Sequence, residues 1–121
     1  MTAAPSRARI LVIDDDEAIQ RLLSSLLLDE GFDVTVAADG VCGLEQLEVS
    51  PFDVVVLDLQ MPRMDGREMY RAMQARGYTT PTIVLSAYRP EEARSELGAA
   101  AGVAKPFDSD ALLETVESLL R

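Results

Sequence analysis

Five short runs of aliphatic and β-branched residues recur along the chain, and their spacing constrains the fold more than any other feature. They are Ile10-Leu11-Val12-Ile13, Val34-Thr35-Val36, Val54-Val55-Val56-Leu57, Thr82-Ile83-Val84-Leu85 and a weak one at Val103-Ala104. The first and third are apolar throughout, as strands covered on both faces should be. Helical periodicity fills the gaps. Ile19, Leu22, Leu23, Leu26 and Leu27 mark one face of a first helix, and Val41, Leu44 and Leu47 a second. Met69, Tyr70 and Met73 suggest a third, and Glu91 to Leu97 a short fourth. Leu112, Leu113, Val116, Leu119 and Leu120 mark the last. Gly31, Asp39-Gly40, Pro51, Asp65-Gly66, Gly77 and Pro81 punctuate the boundaries. Strand and helix alternating in this way predict an α/β fold, a parallel sheet with helices on both faces.

The 121 residues suffice for one core and not for two. Residues 1–8 are expected to be an N-terminal tail and 9–121 the folded domain. Twenty-one acids against 11 bases give a net charge of −10. Such a surface repels phosphate backbones and anionic lipid, so neither direct nucleic-acid binding nor membrane docking is expected. Cys42 is the only cysteine, which excludes an internal disulfide, and its expected role is that of a small buried apolar residue. The apolar run after the N-terminal arginines is too short for a signal peptide or a membrane span, so the cytoplasm is the expected compartment. The glycines match neither a dinucleotide-binding pattern nor a P-loop.

The chemistry lies where the apolar runs end. The first run is followed by Asp14 and Asp15, the third by Asp58, the fourth by Ser86 and the fifth by Lys105. In an open parallel sheet all carboxyl ends lie along one edge, where ligands bind. Residues far apart in sequence therefore converge. Two carboxylates about 4 Å apart repel by roughly 1–4 kcal/mol, so three of them raise their pKa values or gather a cation. All the donors are oxygens and the chain has no histidine, which implies a hard ion such as Mg²⁺. Lys105, the only lysine, brings a mobile point charge suited to phosphate, and Ser86 brings a hydroxyl donor. Metal, lysine, hydroxyl and a free carboxylate nucleophile together suit phosphoryl transfer through an aspartyl phosphate. Taken singly, each group has a plainer reading. Asp14 to Glu17 equally suits a helix cap, Asp58 a turn, and Lys105 a solvated surface. Their joint placement at strand ends is what carries weight.

With these residues in place, the chain resembles the receiver domains of two-component response regulators from about Arg9 to Leu120. The matching stretches are Ile10 to Asp16, Val55-Val56-Leu57-Asp58-Leu59-Gln60-Met61-Pro62, Met64-Asp65-Gly66, Ile83-Val84-Leu85-Ser86-Ala87 and Lys105-Pro106-Phe107. The resemblance implies a flavodoxin-like (βα)5 three-layer sandwich with strand order 2-1-3-4-5. It implies Asp58 as phosphoryl acceptor, Asp15 as a direct Mg²⁺ ligand, Asp14 as a ligand mainly through water, and the Gln60 backbone carbonyl as a further ligand. Ser86 would bond a phosphoryl oxygen, Lys105 would pair with the phosphate, and the Lys105-Pro106 peptide would be cis. A histidine kinase or phosphotransfer protein would be the donor, an output domain or partner the recipient of the signal, and a phosphorylation-dependent dimer is compatible. Such a domain is a regulatory acceptor rather than an enzyme. Two departures stand out. Gly102 occupies the position three before the lysine, where the family carries Tyr or Phe. The segment from Ser86 to Lys105 is also short by about three residues, roughly one helical turn, so the fourth helix is expected to be shortened. Tyr88 is the aromatic nearest in sequence to Ser86.

Two other readings compete. A Mg²⁺-dependent phosphatase with an aspartyl-phosphate intermediate would need substrate-recognition segments beyond the five strand-helix units. A degenerate receiver serving as a constitutive interaction module would not need Asp14, Asp15, Asp58, Ser86 and Lys105 together.

Overall fold

The computed structural model describes residues 7–61 and 64–121. Most of the expected tail, and Pro62 of the family motif, lie outside the described residues. The elements run β1 Arg9–Ile13, α1 Glu17–Asp29, β2 Asp33–Ala37, α2 Gly40–Val49, β3 Val54–Asp58, α3 Gly66–Ala75, β4 Thr82–Ser86, α4 Pro90–Leu97, β5 Ala101–Ala104 and α5 Ser109–Leu120. All neighbouring strands are parallel, in the order β2-β1-β3-β4-β5. This is the flavodoxin-like (βα)5 arrangement.

Strand period sorts the apolar runs onto two faces. Ile10 and Val12 of β1, Val54 and Val56 of β3 and Ile83 and Leu85 of β4 pack with Leu23 and Leu27 of α1 and Leu112 and Val116 of α5. The intervening Leu11, Ile13, Val55 and Leu57 face Leu44, Leu47, Met69 and Met73 of α2 and α3. A third cluster joins Val84 and Leu59 to Ala93 and Leu97 of α4. The central strands are buried apart from half-buried Arg9 at the start of β1, whereas β2 and β5 are half-exposed edges. That is why β1 and β3 read as unbroken apolar runs and β5 reads weakly.

Two expected core residues lie outside the core. Leu22 is 48% exposed and Val41 43%. On a helix turning about 100° per residue, Leu22 stands about 120° from the midpoint of Leu23 and Leu27, and Val41 about 100° from the buried Gly40, Gly43, Leu44 and Leu47 face. Cys42 is half-buried against the α2–α3 core rather than fully enclosed. Among the described residues, no helix is long and apolar enough to cross a membrane.

Helix starts follow one rule with one exception. Asp16, Asp39, Asp65 and Asp108 cap α1, α2, α3 and α5 through their side chains. The shortest helix, α4, has no side-chain cap. It begins instead at Arg89, the one described non-glycine residue with positive φ (45°), followed by Pro90 at the first helical position. A left-handed arginine costs about 1–2 kcal/mol, so the surrounding contacts must hold it there.

Candidate phosphoryl-acceptor site

The strand order reverses between β1 and β3, and the carboxyl ends of β1, β3, β4 and β5 form a crevice there. Asp58 is the last residue of β3 and is only 1% exposed. Asp14, directly after β1, is fully buried, and Asp15 beside it is exposed. Oxygens from Asp14, Asp15 and Asp58 lie within 4.8 Å of one another. Lys105 reaches across from the end of β5. Its Nζ is 3.1 Å from Asp14 Oδ2 and 3.2 Å from Asp58 Oδ1. The Lys105-Pro106 peptide is cis.

The acidic run after β1 divides its labour. Asp16 accepts from the backbone N–H groups of Ala18 and Ile19 and caps α1. Asp14 accepts from the Asp16 N–H at 2.9 Å through Oδ1 and turns Oδ2 inward. Capping and charge clustering are therefore both present, on different residues. Gln20 of α1 donates its side-chain amide to the Asp14 carbonyl at 2.6 Å, which fixes the turn from the other side.

Burial raises the Asp58 carboxyl above its ordinary value, and repulsion from Asp14 adds to this; the attraction of Lys105 and the Gln60 N–H bond offset only part. Burial works to lower Lys105, but its hydrogen bond to Asp14 and the charges of Asp58 and Asp14 outweigh that and hold it protonated beyond its ordinary range. The pocket sets three carboxyl groups against one ammonium.

Ser86 is fully buried at the end of β4 and touches the carboxylates only indirectly. Its hydroxyl donates to the Tyr88 carbonyl at 2.8 Å and accepts from the Tyr88 N–H at 3.1 Å. It also accepts from the Gln60 side-chain amide at 3.2 Å. Gln60 donates its backbone N–H to Asp58 Oδ1 at 3.3 Å, so one residue bridges acceptor and hydroxyl. The family resemblance implies only a backbone-carbonyl role for Gln60, and nothing in the sequence signals where its amide points. The role of Gln20 was equally invisible. Gly66 at the start of α3 does more than punctuate the chain. A Cβ there would collide with the Asp58 carbonyl and with the Leu59 backbone, so glycine is what lets α3 close on the acceptor.

Gly102 is not an empty position. A Cβ on it would stand 2.5 Å from the Pro90 carbonyl oxygen and 3.2 Å from Arg94 Cβ. The first turns of α4 fill the space beside β5 where a large side chain would project. Tyr88 is 69% exposed, with the Arg89 guanidinium 5.2 Å from its ring centre.

A parallel sheet of this order, with buried carboxylates and a lysine at its carboxyl edge, defines a receiver domain, and comparison with known proteins agrees. A model described as the response regulator receiver domain matches residues 10–117. The chain belongs to that family: it is the receiver domain of a two-component response regulator. It is 39% identical over 117 residues to the response regulator MprA of Mycobacterium sp. (strain KMS), covering 93% of this chain and 50% of that protein. The chain thus spans about half the length of the curated relatives it matches. Among solved structures, the receiver domain of the Francisella response regulator 1452 superposes with a TM-score of 0.89 at 32% identity, over 94% of this chain and 97% of that one. The chemotaxis response regulator CheY4 of Vibrio cholerae gives 0.85 at 34% identity, over 95% and 100%.

Proposed function

We propose that this domain is a phospho-accepting switch, in which Asp58 takes a phosphoryl group from a phosphohistidine on a histidine kinase or phosphotransfer protein. The observation that carries the reading is the burial of Asp58 among Asp14, Asp15 and Lys105 at the strand-order reversal. An Asp58 oxygen attacks phosphorus, the P–N bond breaks, and the imidazole leaves with the electron pair. Lys105, already within ion-pair distance of Asp58 and Asp14, neutralises the charge added by the phosphoryl oxygens. Ser86 supplies a hydroxyl proton to one of them. Burial excludes water and protects the acyl phosphate.

The site fits Mg²⁺. Its donors are hard oxygens from three carboxylates within 4.8 Å of one another, and the buried Asp14 Oδ2 faces only the Lys105 ammonium at 3.1 Å. Asp15, exposed at the mouth, would be the direct ligand, with Asp58 and the Gln60 carbonyl. Asp14, already engaged by Lys105 and the Asp16 N–H, would act mainly through water. When bound, the ion supplies charge neutralisation and orients the phosphoryl oxygens. The domain then works as a regulatory acceptor in the cytoplasm, read by an output domain or partner and compatible with a phosphorylation-dependent dimer.

Incubation with Mg²⁺ and acetyl phosphate, followed by intact mass, separates the competing readings. A stable gain of one phosphoryl group supports the switch. Turnover of added phosphoesters would instead indicate a phosphatase, and an unchanged mass a constitutive interaction module.

A further inference from the structure

We propose that Gln20 of α1 is a positioning residue for the metal: its side-chain amide holds the peptide that aims Asp15 at the ion. The inference rests on the Mg²⁺ and phospho-acceptor reading above, and it adds a residue that touches neither the ion nor the phosphoryl group. It starts from Asp15, the one exposed member of the three clustered aspartates. Asp14 is held by the Asp16 N–H and by Lys105, and Asp58 by the Gln60 N–H and by Lys105. Asp15 has no hydrogen bond or ion pair among the described residues. The direction in which its carboxylate leaves the chain is therefore set by its backbone.

The Asp14 carbonyl and the Asp15 N–H belong to one rigid peptide plane, and that plane carries the Asp15 Cα. On the strand side, the Asp14 N–H donates to the Ala37 carbonyl at 3.1 Å. On the helix side, Gln20 grips the turn twice. Its backbone N–H donates to the Asp16 carbonyl at 2.9 Å, and its side-chain amide donates to the Asp14 carbonyl at 2.6 Å. Asp15 lies between the two grips. Remove the side-chain grip and the Asp14–Asp15 peptide is free to turn, while its part-buried carbonyl loses its donor. Ligands oriented by an outer hydrogen bond lose about 10–100-fold in metal affinity when that bond is removed. Glutamine suits the task on two counts. It reaches back from inside the helix to the end of β1, and its neutral amide donates without placing a positive charge beside the cation.

Mg²⁺ affinity is measured by NMR titration in wild type, Gln20→Met and Gln20→Arg. Unfolding in EDTA and intact mass after acetyl phosphate are recorded on the same proteins. Methionine keeps the length and helix preference of glutamine but cannot donate. Arginine restores a donor, and its charge alone would repel the ion, so affinity recovered through it comes from the hydrogen bond. Gln20→Met should raise the Mg²⁺ dissociation constant about tenfold, and Gln20→Arg should bind the ion more tightly than Gln20→Met. A merely structural role would lower stability in EDTA and leave the Mg²⁺ affinity of the folded protein unchanged. Equal affinity in wild type and Gln20→Met, or a Gln20→Arg protein that binds no more tightly than Gln20→Met, overturns the proposal. Should Gln20→Met fail to fold, the nearly isosteric Gln20→Glu decides. Its charge alone would tighten Mg²⁺ binding, so weaker binding supports the proposal, and binding at or above the wild-type affinity overturns it. A wild-type protein that binds Mg²⁺ and gains a phosphoryl group, beside a Gln20→Met protein of equal affinity, contradicts the positioning role only. A wild-type protein that binds no Mg²⁺ contradicts the metal reading itself, and the positioning role with it.

Discussion

Asp58 and Lys105 are the two residues whose behaviour follows most directly from their surroundings. Asp58 titrates above its ordinary value of 3.8 in the folded domain because it is buried beside Asp14. Between that ordinary value and the raised one, the folded state binds the proton more tightly than the unfolded chain. Stability is therefore greatest below this window and falls as pH rises through it. Without Mg²⁺, Asp58→Asn removes that loss, and the variant should be more stable than wild type at neutral pH by on the order of 1 kcal/mol. Below the window the advantage should vanish. Denaturant melts in EDTA across acid and neutral pH check this, and an Asn variant that is less stable at neutral pH would contradict it. Lys105 holds the cluster together from the other side. Lys105→Ala should lose about 1–3 kcal/mol in EDTA, because two buried carboxylates lose their counter-charge. Mg²⁺ should then stabilise the variant by more than it stabilises wild type. Equal Mg²⁺ increments in thermal melts would mean that the ion and the ammonium do not share a site. These groups were legible in sequence because each breaks an apolar run. Gln60 was not, since one residue bridging Asp58 and Ser86 leaves no periodicity and no charge pattern to read.

Every βα unit except that of β2 places a site group at the edge, and the helices that cover the sheet differ in how independently they are held. The start of α3 is fixed by Asp65, which accepts from the Glu68 N–H at 2.9 Å, and by Gly66 lying on the Asp58–Leu59 backbone. Asp65→Ala should cost about 1 kcal/mol through loss of the cap. The fold should stay intact, because Met69 and Met73 still anchor the helix in the core. Urea denaturation measures the cost; a loss indistinguishable from zero would show that the cap contributes nothing beyond the packing. α4 has no such device, and its shortness was readable from the small separation of Ser86 and Lys105. Its intimacy with Gly102 was not. A glycine in a weak strand reads as a gap, and only the approach of the Pro90 carbonyl shows that it is a seat. Leu22 and Val41 illustrate the opposite limit: aliphatic residues near a helical stripe look inward until the packing angle is known.

Across the whole molecule, the sheet order and two-sided core do one job, which is to hold a buried carboxylate and its counter-charges at a fixed edge. The strands could be read from hydrophobicity alone, because full burial demands it. The convergence of Asp14, Asp15, Asp58 and Lys105 then followed from parallel topology rather than from any local signal. The chain spans about half the length of its curated relatives. The chemical event proposed for it is local to one oxygen pair. The measurement that tests it most directly is to phosphorylate the domain with acetyl phosphate and Mg²⁺, reduce the product with borohydride, and sequence the peptides by mass spectrometry. An acyl phosphate on Asp58 is converted to homoserine at that position, and Asp58→Asn should yield none anywhere. Homoserine at another aspartate in the wild-type protein, or undiminished phosphorylation of Asp58→Asn, would contradict the account.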